Sequence, residues 1–267
     1  MTPLPRVPDA KVLRRAPGPP GTGSLSARLV LRHTFGMIRS HWHRIAFAAF
    51  VFFVPAASLH LVADLLHDEY ADSGGWARYF LLSAFLLTVV ALRFLGEVVY
   101  AGFLDMAVGD SWFHGEDRSL VEVIRDLPWI PLIIVDFMVV TAAVVGLALF
   151  VIPGVIVYTF WGLAGPVVVQ ERHGWRDGLR RTYEISRPNW KLVLVLVVIP
   201  LGIEHALATL VYEWVDAKGA LAIVAGEWFV AATMLGVIGV IDVALANELM
   251  ARTPFTKRSA PPARSQP

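Results

Sequence analysis

Four ionisable residues interrupt stretches that are otherwise apolar: Arg93, Glu97, Asp136 and Asp242. A charge in hydrocarbon costs roughly 2.5–3.5 kcal/mol on insertion scales, so it implies a register-fixing ion pair, a proton or ion relay, or a polar cavity. Arg93 and Glu97 stand four apart, on one helix face, and can pair directly. Three carboxylates against one guanidinium leave acid in excess. A second set is basic: Trp175, Arg176, Arg180, Arg181, Tyr183 and Arg187. Trp175, Leu179 and Tyr183 recur at i, i+4 and i+8 with Arg176, Arg180 and Arg187 turned elsewhere, the pattern of a helix lying on a membrane surface. Against anionic headgroups each cation contributes about 1 kcal/mol. Nothing nominates a nucleophile, a cofactor site or a metal site. There is no Gly-rich phosphate loop, no Gly-x-Ser-x-Gly elbow and no His-Glu-x-x-His. His41-x-His43 lacks a carboxylate to complete a metal site, and Glu204-His205 sits toward the end of its apolar run.

These residues need elements to hold them, and composition says which kind. Hydrophobic residues are 56% of the 267 positions and charged ones 17%, against about 45–50% and about 25% in an average soluble chain. About 20 apolar residues cross the hydrocarbon, and six runs suffice: about Ile45 to Leu66, Tyr79 to Phe103, Trp129 to Leu149, Gly154 to Gln170, Trp190 to Tyr212, and Ala220 to Glu248. At 1.5 Å per residue, Glu97 lies about 9 Å and Arg93 about 15 Å from the Phe103 end, Asp136 about 10 Å from Trp129, and Asp242 about 9 Å from Glu248. All four share the same half of the bilayer. Pro153-Gly154 joins a residue with fixed φ to one that tolerates positive φ, which predicts the hairpin turn.

The expected fold is all-α: a polytopic membrane protein with six transmembrane helices as three hairpins, plus amphipathic surface helices on the cytosolic side. One such helix spans Ser24 to Arg44, with Ser24 as its N-cap; another starts at Ser119, where Ser119-Leu-Val-Glu122 fits a capping box. The membrane domain is then 24–252, flanked by Pro- and Gly-rich tails 1–23 and 253–267 expected to be disordered.

Lys and Arg concentrate in the tails and in the loops before Trp129 and Trp190, whereas the opposite side carries Arg78 and Lys218. The positive-inside rule therefore puts both termini in the cytosol and the protein in the cytoplasmic (inner) membrane. A net charge of +1 implies no nucleic-acid partner. Cysteine is absent altogether, which excludes disulfides and thiolate sites.

The chain also repeats. Leu31-Arg32-x-Thr34-Phe35 with Trp42-His43 matches Leu179-Arg180-x-Thr182-Tyr183 with Trp190-Lys191 at one constant offset, and each copy precedes an apolar run interrupted by proline, Pro55 and Pro200. The segment Ser119 to Trp129 plays the same part with weaker identity. Three units follow, each a surface helix and a helical hairpin, with Trp42, Trp129 and Trp190 at one interface.

The run Ile152-Pro153-Gly154-Val155-Ile156, then Trp161, Gly165-Pro166-Val167-Val168-Val169, Glu171, Gly178-Leu179-Arg180-Arg181-Thr182 and Trp190 resembles the membrane domain found ahead of some glycerophosphodiester phosphodiesterases, which also occurs alone in bacterial membrane proteins. Gly178 and Thr182 replace the usual Ala and Ser. The paired His, Glu and Asp residues of the catalytic barrel have no counterpart here. The resemblance therefore implies a membrane module and not diester hydrolysis. The expected function is non-enzymatic: a membrane-organising or accessory protein that binds lipid, anionic lipid in particular, or a protein partner or second copy, through its basic helices. A small transporter built on Arg93, Glu97, Asp136 and Asp242 is the alternative.

Overall fold

The computed structural model describes residues 21, 24–70, 76–216 and 220–253, and every regular element among them is helical. Helix α1 runs Ala27–Tyr70, 44 residues, about 66 Å at 1.5 Å per residue. It fuses the expected surface helix and first apolar run into one rod. Nothing around His43-Arg44-Ile45 breaks a helix, and Pro55 is carried inside it. The cap is Ser26, whose hydroxyl accepts from the Leu29 N–H at 3.3 Å, two residues beyond the expected Ser24.

Helix α2, Trp76–Phe103, continues through a π-helical stretch, Leu104–Gly109, into α3, Asp110–Phe113. The short α4, Leu120–Asp126, begins with the expected capping box: Ser119 Oγ accepts from the Glu122 N–H at 3.3 Å, and Glu122 accepts from the Ser119 N–H at 2.8 Å. Its buried side chain is Val123, while Ile124 stays exposed.

Helices α5, Trp129–Leu149, and α6, Val151–Trp161, form a hairpin whose reversal falls at Phe150, the one extended residue between them (φ −158°, ψ 144°). Pro153 and Gly154 are thus not the turn. They occupy the first turn of α6, where proline's missing N–H costs nothing. Gly154 serves close approach. A Cβ there would meet Leu147 Cγ at 2.4 Å and the Ala143 carbonyl oxygen at 2.8 Å, and one on Gly146 would meet the Gly154 nitrogen at 2.7 Å. The two backbones touch because neither carries a side chain.

After Gly162-Leu163 the chain resumes as α7, Ala164–Glu171, then α8, Trp175–Ser186. A 3-10 turn at Arg187–Asn189 leads into α9, Trp190–Val193, which passes through π-helical Leu194–Val198 into α10, Ile199–Asp216. Helix α11, Ala220–Val230, passes likewise through Ala231–Leu235 into α12, Gly236–Arg252.

Four helical runs among the described residues are long and apolar enough to cross a membrane: Trp129–Leu149, Val151–Glu171, Trp175–Val211 and Trp228–Arg252. Phe137, Val144, Val145, Leu147, Leu149, Phe150, Val151 and Ile152 are all exposed. In water that continuous apolar surface would drive aggregation; against lipid tails it costs nothing. These helices suit an integral membrane protein.

Among the described residues a packed core includes the end of the bundle that carries the basic residues, here termed the basic end. Met37, Leu104, Met106, Leu132, Leu163, Ile185, Leu245 and Leu249 are fully buried there, drawn from six different stretches of the chain. Since lipid offers apolar side chains the same environment as each other, close packing and hydrogen bonding, more than burial, hold this end together.

Candidate functional site

Three ionic clamps organise the basic end. In the first, His33 and Glu248, each about 1% exposed, approach to 3.2 Å. The Trp112 indole N–H donates to His33 Nδ1 at 3.0 Å. Because an indole nitrogen can only donate, Nδ1 must accept, and the proton on Nε2 points at the carboxylate. Glu248 also accepts from Arg252 at 2.8 Å and from the Gly21 N–H at 3.1 Å. In the second, Asp110 accepts from Arg118 at 3.4 Å and faces His114 at 3.6 Å. In the third, Arg181, 3% exposed, makes a bidentate contact with Glu171 at 3.0 Å and caps the Thr253 carbonyl, while His173 meets the same carboxylate at 2.8 Å.

Each clamp joins a carboxylate at the exit of an apolar helix to a basic residue that follows it in the chain, or, for Glu248, one that precedes the first apolar run. The first of them joins α1 to α12. The matched halves of the sequence repeat also share burial: Thr34 and Thr182 are buried and bond the carbonyl four residues back, while Arg32 and Arg180 are exposed. At the position between them, His33 and Arg181 are the two buried donors.

Helix α8 is positioned by this clamp. Its inward face carries Gly178, where a Cβ would collide with Val168 at 2.3 Å, so α8 lies tight on α7. Trp175 and Leu179 pack on Val135, Val139, Ala164 and Val168. Tyr183 stacks on Trp161 with centroids 5.6 Å apart and planes 22° from parallel. The Trp175–Leu179–Tyr183 stripe that the sequence placed against lipid therefore packs against protein, and Arg181, grouped with the surface arginines, points inward. Arg176, Arg180 and Arg187 remain exposed. Arg176 lies over the Trp175 ring at 4.7 Å, Arg187 over Tyr183 at 6.0 Å, and Arg180 pairs with Glu184 at 3.0 Å.

Of the intramembrane set, the Arg93 side chain lies outside the described residues. Glu97 stays exposed on α2. Asp136 is half-buried beside Gly165, within 3.2 Å of where a Cβ would stand. Asp242 Oδ1 is buried with no hydrogen-bond partner among the described residues. Tyr158 lies within electrostatic range of Asp242, Asp136, Glu97 and Glu204. Glu204, which the sequence set aside as a separate site, is buried on α10.

Two further polar groups lie beside this core. Gln170 donates to Asp105 Oδ1 at 3.1 Å and to Asp110 Oδ1 at 3.2 Å. Burial pushes the Asp105 carboxyl well above the ordinary range, opposed by the Gln170 bond and aided by Asp110. Nearby, His41 contacts the Met37 carbonyl at 3.2 Å and Ser111 Oγ at 3.0 Å, and Ser111 donates to Asp117 at 2.9 Å, which also accepts from Arg44. His43, its neighbour in His41-x-His43, is exposed, so the two imidazoles diverge. Among the described residues no cluster of three His, Cys, Asp or Glu could hold a metal.

Sequence reasoning missed His33, Trp112 and Glu248. The signal available was the amide-Glu dipeptide that closes two apolar runs, Gln170-Glu171 and Asn247-Glu248. Comparison with known families, characterised proteins and solved structures finds no match to this chain.

Proposed function

We propose that this chain is a non-enzymatic, multi-pass protein of the cytoplasmic membrane that organises lipid, or docks a partner protein or a second copy, through the outer face of α8. In this reading six spans form three hairpins and both termini are cytosolic, so the basic end faces the inner leaflet. The resemblance of residues 150–190 to the membrane domain of glycerophosphodiester phosphodiesterases accords with a membrane module of this kind.

One observation carries the reading: α8 is two-faced. Arg181 locks one side to Glu171 while Arg176, Arg180 and Arg187 project from the other. Cations held on a rigid support at the edge of an apolar bundle attract anionic headgroups without paying to order a loose helix. Lipid co-extraction tests it. Replacing Arg176, Arg180 and Arg187 together by Gln should abolish enrichment of anionic lipid around the purified protein while leaving it folded; unchanged enrichment would refute the reading.

A transporter is the second reading, favoured by the buried Asp242 oxygen that has no hydrogen-bond partner among the described residues. Its test is separate: Asp136→Asn and Asp242→Asn would each abolish proton-dependent flux in vesicles if the layer carries protons, and leave it unchanged if the layer is structural.

A further inference from the structure

We infer that the groove between α5, α6 and α8 holds one acyl chain of an anionic glycerophospholipid, with its phosphate on Arg180. This rests on the lipid-facing reading of α8 and narrows it from a charged surface to a single built site.

The groove encloses about 450 Å³, within the range of about 300–1,000 Å³ typical of small-molecule sites. Its lining includes Ala142, small beside Met138 and Val157, and the stacked pair Trp161 and Tyr183. Among the lining residues only Arg180 bears a charge, and it stands at the rim on the α8 side. An apolar slot ending at a single cation matches the two parts of a phospholipid, chain and phosphate.

Arg180 is equipped for that contact. Glu184 takes its Nε edge at 3.0 Å, and the terminal NH2 groups make no hydrogen bond within the described structure. An exposed pair of this kind contributes at most about 1 kcal/mol, so a phosphate can share or displace it, and guanidinium suits phosphate in a bidentate contact. Arg176 and Arg187 flank Arg180 on the same exposed side. Together they leave a positive excess over Asp177 and Glu184, which favours an anionic headgroup over a zwitterionic one carrying its own ammonium.

Fluorescence quenching in nanodiscs tests the site on the full chain. Phosphatidylglycerol or phosphatidylcholine is brominated on its acyl chains, one at a time and at equal mole fraction. The Trp161 contribution is the difference between the native protein and Trp161→Phe. Brominated phosphatidylglycerol should quench it several-fold more than brominated phosphatidylcholine. Ala142→Phe, which fills part of the groove, and Arg180→Gln, which removes the phosphate contact, should each erase that preference; Val157→Phe provides a second filling variant should the first fold poorly. Equal quenching by both lipids, quenching by neither, or a preference that survives both filling variants overturns the proposal. If the filling variants leave the preference intact but the triple arginine variant still loses anionic enrichment, the groove is wrong and the surface reading stands.

Discussion

The His33 imidazole lies 3.2 Å from the Glu248 carboxylate, tying α1 to α12. Both groups are buried, and every polar atom of the pair has a partner: Trp112 on one ring nitrogen, Arg252 and the Gly21 N–H on the carboxylate. A buried pair whose own polar atoms are all partnered favours one arrangement of helices, because any slip leaves an uncompensated polar group. Removing Glu248 takes the carboxylate away from the buried His33, so Glu248→Ala should cost about 3–5 kcal/mol. Trp112→Phe removes one donor and should cost about 1–3 kcal/mol. Unfolding in mixed micelles by denaturing-detergent titration measures both.

The two neighbouring arginines of α8 should behave oppositely. Arg181 is buried on Glu171 and Arg180 is exposed beside Glu184. Arg181→Gln leaves Glu171 with lost charge compensation and should cost about 3–5 kcal/mol. Arg180→Gln should cost no more than about 1 kcal/mol. The same titration reads both, and equal effects would mean that α8 is not seated as described.

Hairpin closure depends on two glycines. Gly154→Ala places a methyl group on the Ala143 carbonyl and the Leu147 side chain, and should destabilise by about 1–3 kcal/mol. Gly174→Ala is the control, since a Cβ there meets nothing within 4 Å; its melting temperature should stay within a degree or so of the native value.

Acid should weaken the basic end through His41. Burial holds its pKa below the ordinary 6.5, with the Met37 carbonyl bond opposing and Arg44 assisting. A group depressed on folding contributes stability that is present above its unfolded pKa and is lost as pH falls through the folded value. His114 acts in reverse: the Asp110 carboxylate 3.6 Å away raises its pKa, so its contribution is present below 6.5 and lost as pH rises through the folded value. Asp117, lowered against desolvation by Ser111 and Arg44, matters only in more acidic solution. Melting curves from pH 7 to 5 should therefore fall less steeply for His41→Gln than for the native chain, and more steeply for His114→Gln.

Local chemistry was legible in the sequence, and long-range chemistry was not. The Ser119-Glu122 capping box needs only residues three apart, and it forms as written. The apolar runs also declare themselves. Helix α1 ran on past its expected end because a change of polarity at Arg44 is not a helix breaker. Pro153-Gly154 fits a turn and a helix start equally well, and only the Phe150 dihedrals decide. Arg181 sits one residue from Arg180 yet points the other way, since which arginine meets Glu171 depends on how α8 docks. His33 and Glu248 share no local pattern whatever; their pairing depends on how α1 and α12 pack together.

The central claim is that the outer face of α8 meets the inner leaflet while its inner face is locked to the bundle. The native chain has no cysteine, so single-cysteine labelling has no background. Arg180→Cys should react with a membrane-impermeant maleimide in inside-out vesicles and not in intact cells, while Ile152→Cys, in the exposed apolar band, reacts in neither. Labelling of Arg180→Cys from the outer side, or from both sides, would contradict the account.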